Sequence, residues 1–155
     1  MKKLFFGLIS LLILVGAVRQ LAWGGQMTWP PEYRAKVSTR VYKANYGKVF
    51  SAVVDCSEDN GYPIIAADKE NGIIITDYQS AGAILTGRGR IKLDFHITKI
   101  DENSTKVRLN IHCEYYSSSY YYRDRESCDN FIDEYDYQKI FDVIGQRIDK
   151  DKSKS

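Results

Sequence analysis

Two histidines and two carboxylates are the side chains of this 155-residue sequence best suited to metal or acid–base chemistry. His96, His112, Asp94 and Glu114 occupy polar positions of two alternating stretches. If these stretches form an antiparallel hairpin that turns at Asn103, facing residues have numbers adding to about 206, and His112 faces Asp94. Such a group could bind zinc. Because the outer face of an antiparallel sheet is routinely polar, we expect a solvated or partner-facing surface, without metal, cofactor or catalytic residues.

The three cysteines favour a disulfide over a nucleophile. Cys113 and Cys128 flank a tyrosine-rich segment. In an oxidising compartment they could form a bridge worth about 3 kcal/mol by loop entropy. Cys113 should point into the core, where Cys56 could equally be its neighbour, so both pairings stay open. A catalytic thiol must be exposed and activated, whereas Cys56 and Cys113 lie on apolar faces.

Residues 79–89, QSAGAILTGRG, form a glycine-rich stretch. Such a loop can hold phosphate where it opens a helix. Here it precedes a predicted strand and carries no GKS or GKT, so we interpret it as a loop or a bulged sheet edge.

Residues 115–131 contain a cluster of tyrosines that could bind a partner: Tyr115, Tyr116, Tyr120, Tyr121 and Tyr122. Tyrosine offers a large contact area with a polar tip, which suits recognition surfaces. The alternative is a long connection whose tyrosines pack locally.

The start of the chain predicts export from the cytoplasm. Lys2 and Lys3 precede the apolar residues 4–18, a pattern typical of a secretory signal. The apolar run is shorter than the roughly 20 residues that cross a bilayer. We predict that residues 1–18 are a cleaved signal peptide or, alternatively, an N-terminal membrane anchor. The domain would then lie in the periplasm or be secreted, or be held at the inner membrane by residues 4–18.

Composition limits the function further. Apolar residues make up 44% of the chain, enough for a core. The net charge of +2 comes from Lys2 and Lys3 alone, since the remaining basic side chains match the 20 acidic ones in number. A neutral domain argues against nucleic-acid binding, which needs clustered positive charge.

The stretch from residue 45 to residue 77 predicts a helix followed by two strands. Asn45 is a plausible N-cap, and Gly61 lies where a helix commonly ends. Asn71 and Gly72 signal a hairpin turn. The helix carries an apolar stripe: Val49, Phe50, Val53 and Cys56.

Three further segments are predicted: a linker before the domain, its first strand, and a tail after it. Residues 19–35 read as a linker and 151–155 as a disordered tail. Residues 36–43 alternate as a first strand, with Val37, Thr39 and Val41 on one side and Ser38, Arg40 and Tyr42 on the other.

The second half predicts a hairpin and a closing helix. The inward positions of the hairpin are Ile91, Leu93, Phe95, Ile97, Val107, Leu109, Ile111 and Cys113. The helix, from about Asp133 to Lys150, presents Tyr137, Ile140, Phe141, Ile144 and Ile148.

Residues 49–77, VFSAVVDCSEDNGYPIIAADKENGIIITD, resemble the opening of the repeated domains of BamC, the accessory lipoprotein of the outer-membrane assembly machinery. The shared features are a helix, a glycine stop, and a strand leading through an Asp-containing turn to a glycine and apolar residues. The resemblance covers residues 36–150 as a single copy. It implies a helix-grip fold, β-α-β-β-β-β-α, in the cell envelope, and a binding module rather than an enzyme.

We therefore expect an α+β domain over residues 36–150, with two helices on one face of an antiparallel sheet. The first functional hypothesis is a non-enzymatic envelope protein that binds a protein partner, or assists assembly, through the uncovered sheet face or the tyrosine segment. The alternative is a small-molecule or lipid binder with a cleft between the closing helix and the sheet. An apolar cavity lined by Phe95, Ile111 and Phe141 would favour that alternative.

Overall fold

The computed structural model describes residues 29–80, 88–116, 125–127 and 132–152. The leader, the start of the linker, the tyrosines Tyr120 to Tyr122, Cys128 and the end of the tail lie outside these ranges. Along the described chain the elements are α1 (Pro31–Val37), β1 (Thr39–Tyr42), α2 (Tyr46–Asp59), β2 (Ile64–Asp68), β3 (Ile73–Thr76), β4 (Gln79–Ser80), β5 (Arg88–Asp101), β6 (Ser104–Tyr116), β7 (Arg125–Ser127) and α3 (Glu134–Lys152).

Within the described ranges, seven strands form one antiparallel sheet. The strand order is β1-β6-β5-β3-β2, with β4 added to β5 and β7 added to β6. The apolar stripes of α2 and α3 pack in a common core with the inward side chains of the sheet. The predicted α+β class, with helices packed on a sheet, is therefore confirmed.

The central hairpin has the predicted inward face. Phe95 is 3% exposed and Leu109 is completely buried, whereas His96 lies in solvent. A strand places alternate side chains on opposite faces. The long β5–β6 ladder therefore has one face under the helices and another, polar face that none of the described helices covers. We call this second surface the open face.

The predicted register of the hairpin was wrong by two residues. Asp94 pairs with Asn110, and His112 pairs with Lys92. The parity argument still holds, because a shift of two keeps every side chain on its predicted face.

The shift arises because the turn is tighter than the symmetric turn at Asn103 that the sequence predicted. Asp101 pairs with Ser104, and an irregularity in the ladder follows Lys99. The Asp101 carboxylate accepts the Asn103 N–H at 2.8 Å, which stabilises the short turn. This hydrogen bond also lowers the pKa of Asp101.

The prediction was also wrong at the first strand, which begins at Thr39 rather than at residue 36. Residues 31–37 are helical instead. Pro31 occupies the first helical position, where proline has no intrahelical hydrogen bond to lose. The short α1 sits beside α3 through the ring of Trp29, which contacts the rings of Tyr33 and Tyr137.

The side of β1 that faces the core is that of Tyr42. Its hydroxyl donates to the Phe141 carbonyl of α3 at 2.7 Å, so the strand and the closing helix are connected by a buried polar contact. Burial raises the pKa of Tyr42. Val41, on the opposite side, is 49% exposed.

The ends of α2 are as predicted. The Asn45 side chain accepts the Lys48 N–H at 2.9 Å, which confirms the N-cap. Gly61, with φ of 77°, follows the last turn. Gly72 also has a positive φ, of 70°, at the turn between β2 and β3. Both conformations suit glycine.

The closing helix begins with a reciprocal cap. The Asp136 N–H donates to Asp133 Oδ1 at 3.1 Å, and the Asp133 N–H donates to Asp136 Oδ2 at 3.0 Å. Two backbone donors at the helix start are thus satisfied by side chains. Near the other end, Arg147 contacts Asp55 and Asp59 of α2, each at 3.1 Å.

Candidate ligand cavity and the open sheet face

The structure brings together only part of the predicted histidine–carboxylate group. His112 Nε2 lies 2.9 Å from Asp94 Oδ2, and Lys92 Nζ lies 3.6 Å from the same oxygen. His96 lies farther along β5, opposite Arg108, with its Nδ1 3.5 Å from the Thr98 hydroxyl. The other Asp94 oxygen, Oδ1, is buried without a hydrogen-bond partner in the described structure.

Glu114 belongs to a separate cluster at the other end of the hairpin. Its Oε2 accepts two hydrogen bonds from Arg90, at 3.0 and 2.7 Å. Its Oε1 accepts the Tyr78 hydroxyl at 2.8 Å, and the Arg90 guanidinium lies over the Tyr78 ring. The carboxylate is thus held by a cation and a phenol.

Across the described ranges, no three His, Cys, Asp or Glu side chains are grouped so that they could hold a metal ion. The open face instead carries paired charges at its β4 end, and Lys106 and Arg108 near β1. Neither of these two has an ion-pair partner among the described residues.

The predicted partner-binding tyrosines are described only in part. Tyr115 and Tyr116 are the last residues of β6, where their backbones pair with β5 and with β7. These two tyrosines therefore extend the strand. Tyr120, Tyr121 and Tyr122 lie outside the described residues, and their role stays a prediction.

Of the two cysteines that the structure describes, one is disulfide-bonded and the other is a free thiol. Cys113 is disulfide-bonded, whereas Cys56 is free and buried. Cys128, the third cysteine of the sequence, lies outside the described residues, so its pairing with Cys113 stays a prediction. The Cys56 thiol donates to the Val143 carbonyl of α3 at 3.6 Å. Burial raises its pKa, which disfavours the reactive thiolate.

A cavity of about 220 Å³ lies between α2, α3 and the inward face of β5 and β6. Its apolar wall is formed by Ile91, Leu93, Phe95, Ile111, Ile140, Val143 and Ile144. Two of the three predicted lining residues, Phe95 and Ile111, contribute to it. Phe141 does not, because it is fully buried in the neighbouring core, where the Arg40 guanidinium covers its ring. The α3 residues that line the cavity are thus neighbours of Phe141 on the helix and do not include it.

The polar side chains of the cavity come from the end of α2 and the start of α3: Ser57, Asn60, Tyr62, Asp136 and Lys139. Ser57 Oγ donates to the Val53 carbonyl at 2.8 Å, and Asn60 Nδ2 donates to the Cys56 carbonyl at 2.7 Å. Burial first, and the nearby Asp136 carboxylate second, raise the pKa of Tyr62. Its hydroxyl thus stays protonated at neutral pH.

Sequence reasoning missed the polar lining residues. One signal was present: residues 136, 139, 140, 143 and 144 share a helical face by spacing, and Asp136 and Lys139 interrupt an otherwise apolar stripe there. Two charges on a core-facing stripe indicate a water-accessible space beside the helix.

Comparison with known proteins leaves the family open. No protein-family model and no curated protein matches the chain. A crystal structure of a DUF4468 family protein from Bacteroides ovatus covers 71% of this chain and 84% of its own, with 9% sequence identity and a TM-score of 0.44. Within the described ranges, no helix combines the length and apolar character needed to cross a membrane.

Proposed function

We propose that this domain is a non-enzymatic binding module of an extracytoplasmic compartment, and that it holds a small, mostly apolar ligand between α2, α3 and the sheet. The observation that carries the proposal is the cavity beside Phe95 and Ile111. The compartment follows from the signal-like residues 1–18 and from the BamC-like segment.

The size and the lining of the cavity limit its ligand. Protein interiors are close-packed and contain few voids larger than a water molecule. A dry cavity of about 150 Å³ lined by aliphatic and aromatic side chains is large enough for benzene. The present cavity, of about 220 Å³, accommodates a ring with a short arm or a short alkyl chain.

The titratable groups of the open face support a binding role over catalysis. Glu114 is held by Arg90 and Tyr78, and Asp94 is held by His112 and Lys92. Both oxygens of Glu114 and one oxygen of Asp94 are already engaged by neighbouring side chains, whereas a general acid or base needs a position that is free to reach its substrate.

The test is to titrate the full chain with toluene while recording methyl NMR spectra. We expect saturable shifts at Ile91, Leu93 and Ile111, because their methyl groups line the cavity. Ser57→Leu should abolish the shifts by filling the space. The matched control is Ser51→Leu, the same change on the exposed side of α2, which should leave them unchanged. Absence of saturable shifts in the unmodified protein would remove the proposal.

A second candidate function is protein binding on the open face. Lys106 and Arg108 are exposed there, and Val41 pairs with Lys106 on the neighbouring strand. Two unneutralised cations beside an exposed apolar side chain suit an acidic segment of a protein partner. The tyrosine segment remains the alternative interface.

These two interfaces can be separated by pull-down from an envelope extract. A double change of Lys106 and Arg108 to glutamate should remove the partner if the open face binds it. The same charge reversal at Arg34 and Lys36, both exposed on α1, is the control. Loss of the partner only when Tyr120, Tyr121 and Tyr122 are changed to serine would assign it to the tyrosine segment.

A further inference from the structure

We infer that the ligand of the cavity is an aryl or short alkyl carboxylate, whose anionic head lies between Lys139 and Tyr62 at the polar end. This inference rests on the proposed function and specifies its ligand class. Two sets of polar groups around the cavity carry the inference: those that are hydrogen-bonded within the described protein and those that are not.

Lys139 supplies the positive charge. It lines the cavity from α3 and is also exposed to solvent. No carboxylate in the described part of the chain lies within ion-pair distance of it. A cation beside an apolar cavity favours an amphipathic ligand with a negative head.

The neighbouring carboxylate, Asp136, makes its hydrogen bonds to the start of the helix and forms no ion pair with Lys139 in the described structure. Asp136 also lines the cavity, one helical turn before Lys139. Its Oδ2 accepts the Asp133 N–H, and its own N–H donates to the Asp133 carboxylate. The negative charge therefore stabilises the N-terminus of α3, where an anion is favoured by the helix dipole.

Tyr62 supplies a second donor. Its side chain is half-buried at the cavity, and its hydroxyl makes no hydrogen bond within the described residues. The Ser57 hydroxyl and one N–H of Asn60 Nδ2 are instead directed to the carbonyls of α2. The donors at the polar end that have no partner among the described residues are thus the Lys139 ammonium, the Tyr62 hydroxyl and the second N–H of Asn60 Nδ2. All three suit the oxygens of a carboxylate.

The experiment compares three ligands that share a phenyl ring and a short arm: phenylacetate, phenethyl alcohol and phenethylamine. Their heads are negative, neutral and positive, and their sizes suit the cavity. Affinities for the full chain would be measured by calorimetry at neutral pH and low ionic strength. We expect phenylacetate to bind about tenfold more tightly than phenethylamine, since charge-assisted hydrogen bonds are the stronger ones.

Variants assign the preference to the named groups. Lys139→Met keeps an unbranched side chain, one heavy atom shorter, and removes its charge. It should weaken phenylacetate about fivefold and leave phenethyl alcohol unchanged. Lys106→Met, on the open face, is the matched control and should change neither affinity. Tyr62→Phe should weaken phenylacetate by a smaller factor.

A second measurement of binding, independent of calorimetry, uses the reactivity of a cysteine. The Cys56 thiol lines the cavity, so a saturating ligand should slow its reaction with a thiol reagent. Phenylacetate should protect it in the unmodified protein at a lower concentration than in Lys139→Met.

The possible outcomes separate the inference from the proposed function. Equal or tighter binding of phenethylamine, or no effect of Lys139→Met on phenylacetate, overturns the carboxylate inference while the cavity remains a binding site. If none of the three compounds binds or protects Cys56, both the inference and the proposed function fall.

Discussion

Replacement of Gly72 by alanine should destabilise the domain strongly, although it adds a single methyl group at a surface turn. A Cβ at this position would lie 2.0 Å from the Ile97 carbonyl oxygen of β5. The backbone also has a φ of 70°, which costs a non-glycine residue about 1–2 kcal/mol.

The clash adds to this conformational cost. Gly72 and Ile97 are joined by a backbone hydrogen bond of 2.7 Å, from the Ile97 N–H to the Gly72 carbonyl. The two chains must separate to admit the methyl group, and a lost hydrogen bond of this kind contributes about 1 kcal/mol. We therefore expect the free energy of unfolding to fall by about 3 kcal/mol.

Two other glycines provide matched controls. A Cβ at Gly47, inside α2, meets nothing closer than 3.7 Å, so Gly47→Ala should stabilise the helix by about 0.5–1 kcal/mol. At Gly61 the φ of 77° is equally unfavourable, but the added methyl group meets only the end of the Gln79 side chain. Gly61→Ala should therefore cost about 1–2 kcal/mol.

The measurement is urea unfolding followed by circular dichroism, with the free energy taken from the linear extrapolation. The expected order of stability is Gly47→Ala, unmodified protein, Gly61→Ala, Gly72→Ala. A Gly72→Ala variant as stable as the unmodified protein would contradict the close approach of β3 and β5 at this turn.

Three further predictions concern the core and the response to pH. Phe141→Ala should lower the free energy of unfolding by about 3–5 kcal/mol, because removing the fully buried ring loses its burial and leaves a cavity in the core; urea unfolding measures this. Tyr42→Phe should cost about 1 kcal/mol through the lost hydrogen bond to the Phe141 carbonyl. Burial raises the pKa of Tyr42 above its ordinary value of 10.0, so the folded state holds the proton more tightly and stability falls as pH rises beyond that value. The slope above it should be shallower in Tyr42→Phe, and an unchanged slope would contradict the burial of this hydroxyl. Hydrogen bonds from Asn71 lower the pKa of Asp68 below 3.8, so its contribution is present above that pH and is lost in acid. Asp68→Asn should therefore show a weaker loss of melting temperature on acidification.

The faces of the hairpin and the ends of α2 could be predicted because their signals are local. Alternation along β5 and β6 assigns each side chain to a face whatever the register is, and Asn45 and Gly61 act on neighbouring backbone groups. The register depends on which of two turns the same residues form, one centred on Asn103 or the tighter one that pairs Asp101 with Ser104. The hydrogen bond from the Asn103 N–H to Asp101 favours the tighter turn, and residue types alone do not rank such alternatives.

The cavity was only half predictable, because it results from packing between distant parts of the chain. Phe95 and Ile111 could be assigned to the core side of the sheet by parity. Whether Phe141 or Ile140 faces the cavity depends on the rotation of α3 about its axis. That rotation is constrained by contacts such as the one between Tyr42 and the Phe141 carbonyl, which join residues 99 positions apart.

The Asp136 carboxylate can accept hydrogen bonds from two sources: the first turn of its own helix and a ligand in the adjacent cavity. A ligand that donates a hydrogen bond to Asp136 Oδ2 shares this oxygen with the Asp133 N–H and should weaken the hydrogen bond that caps the helix. A ligand whose polar group is a hydrogen-bond acceptor leaves the cap intact and can accept a hydrogen bond from Lys139. Ligand binding in the cavity and fraying of the first turn of α3 are therefore linked equilibria. Amide exchange at the start of α3 should slow when an acidic ligand binds and accelerate when a basic ligand binds.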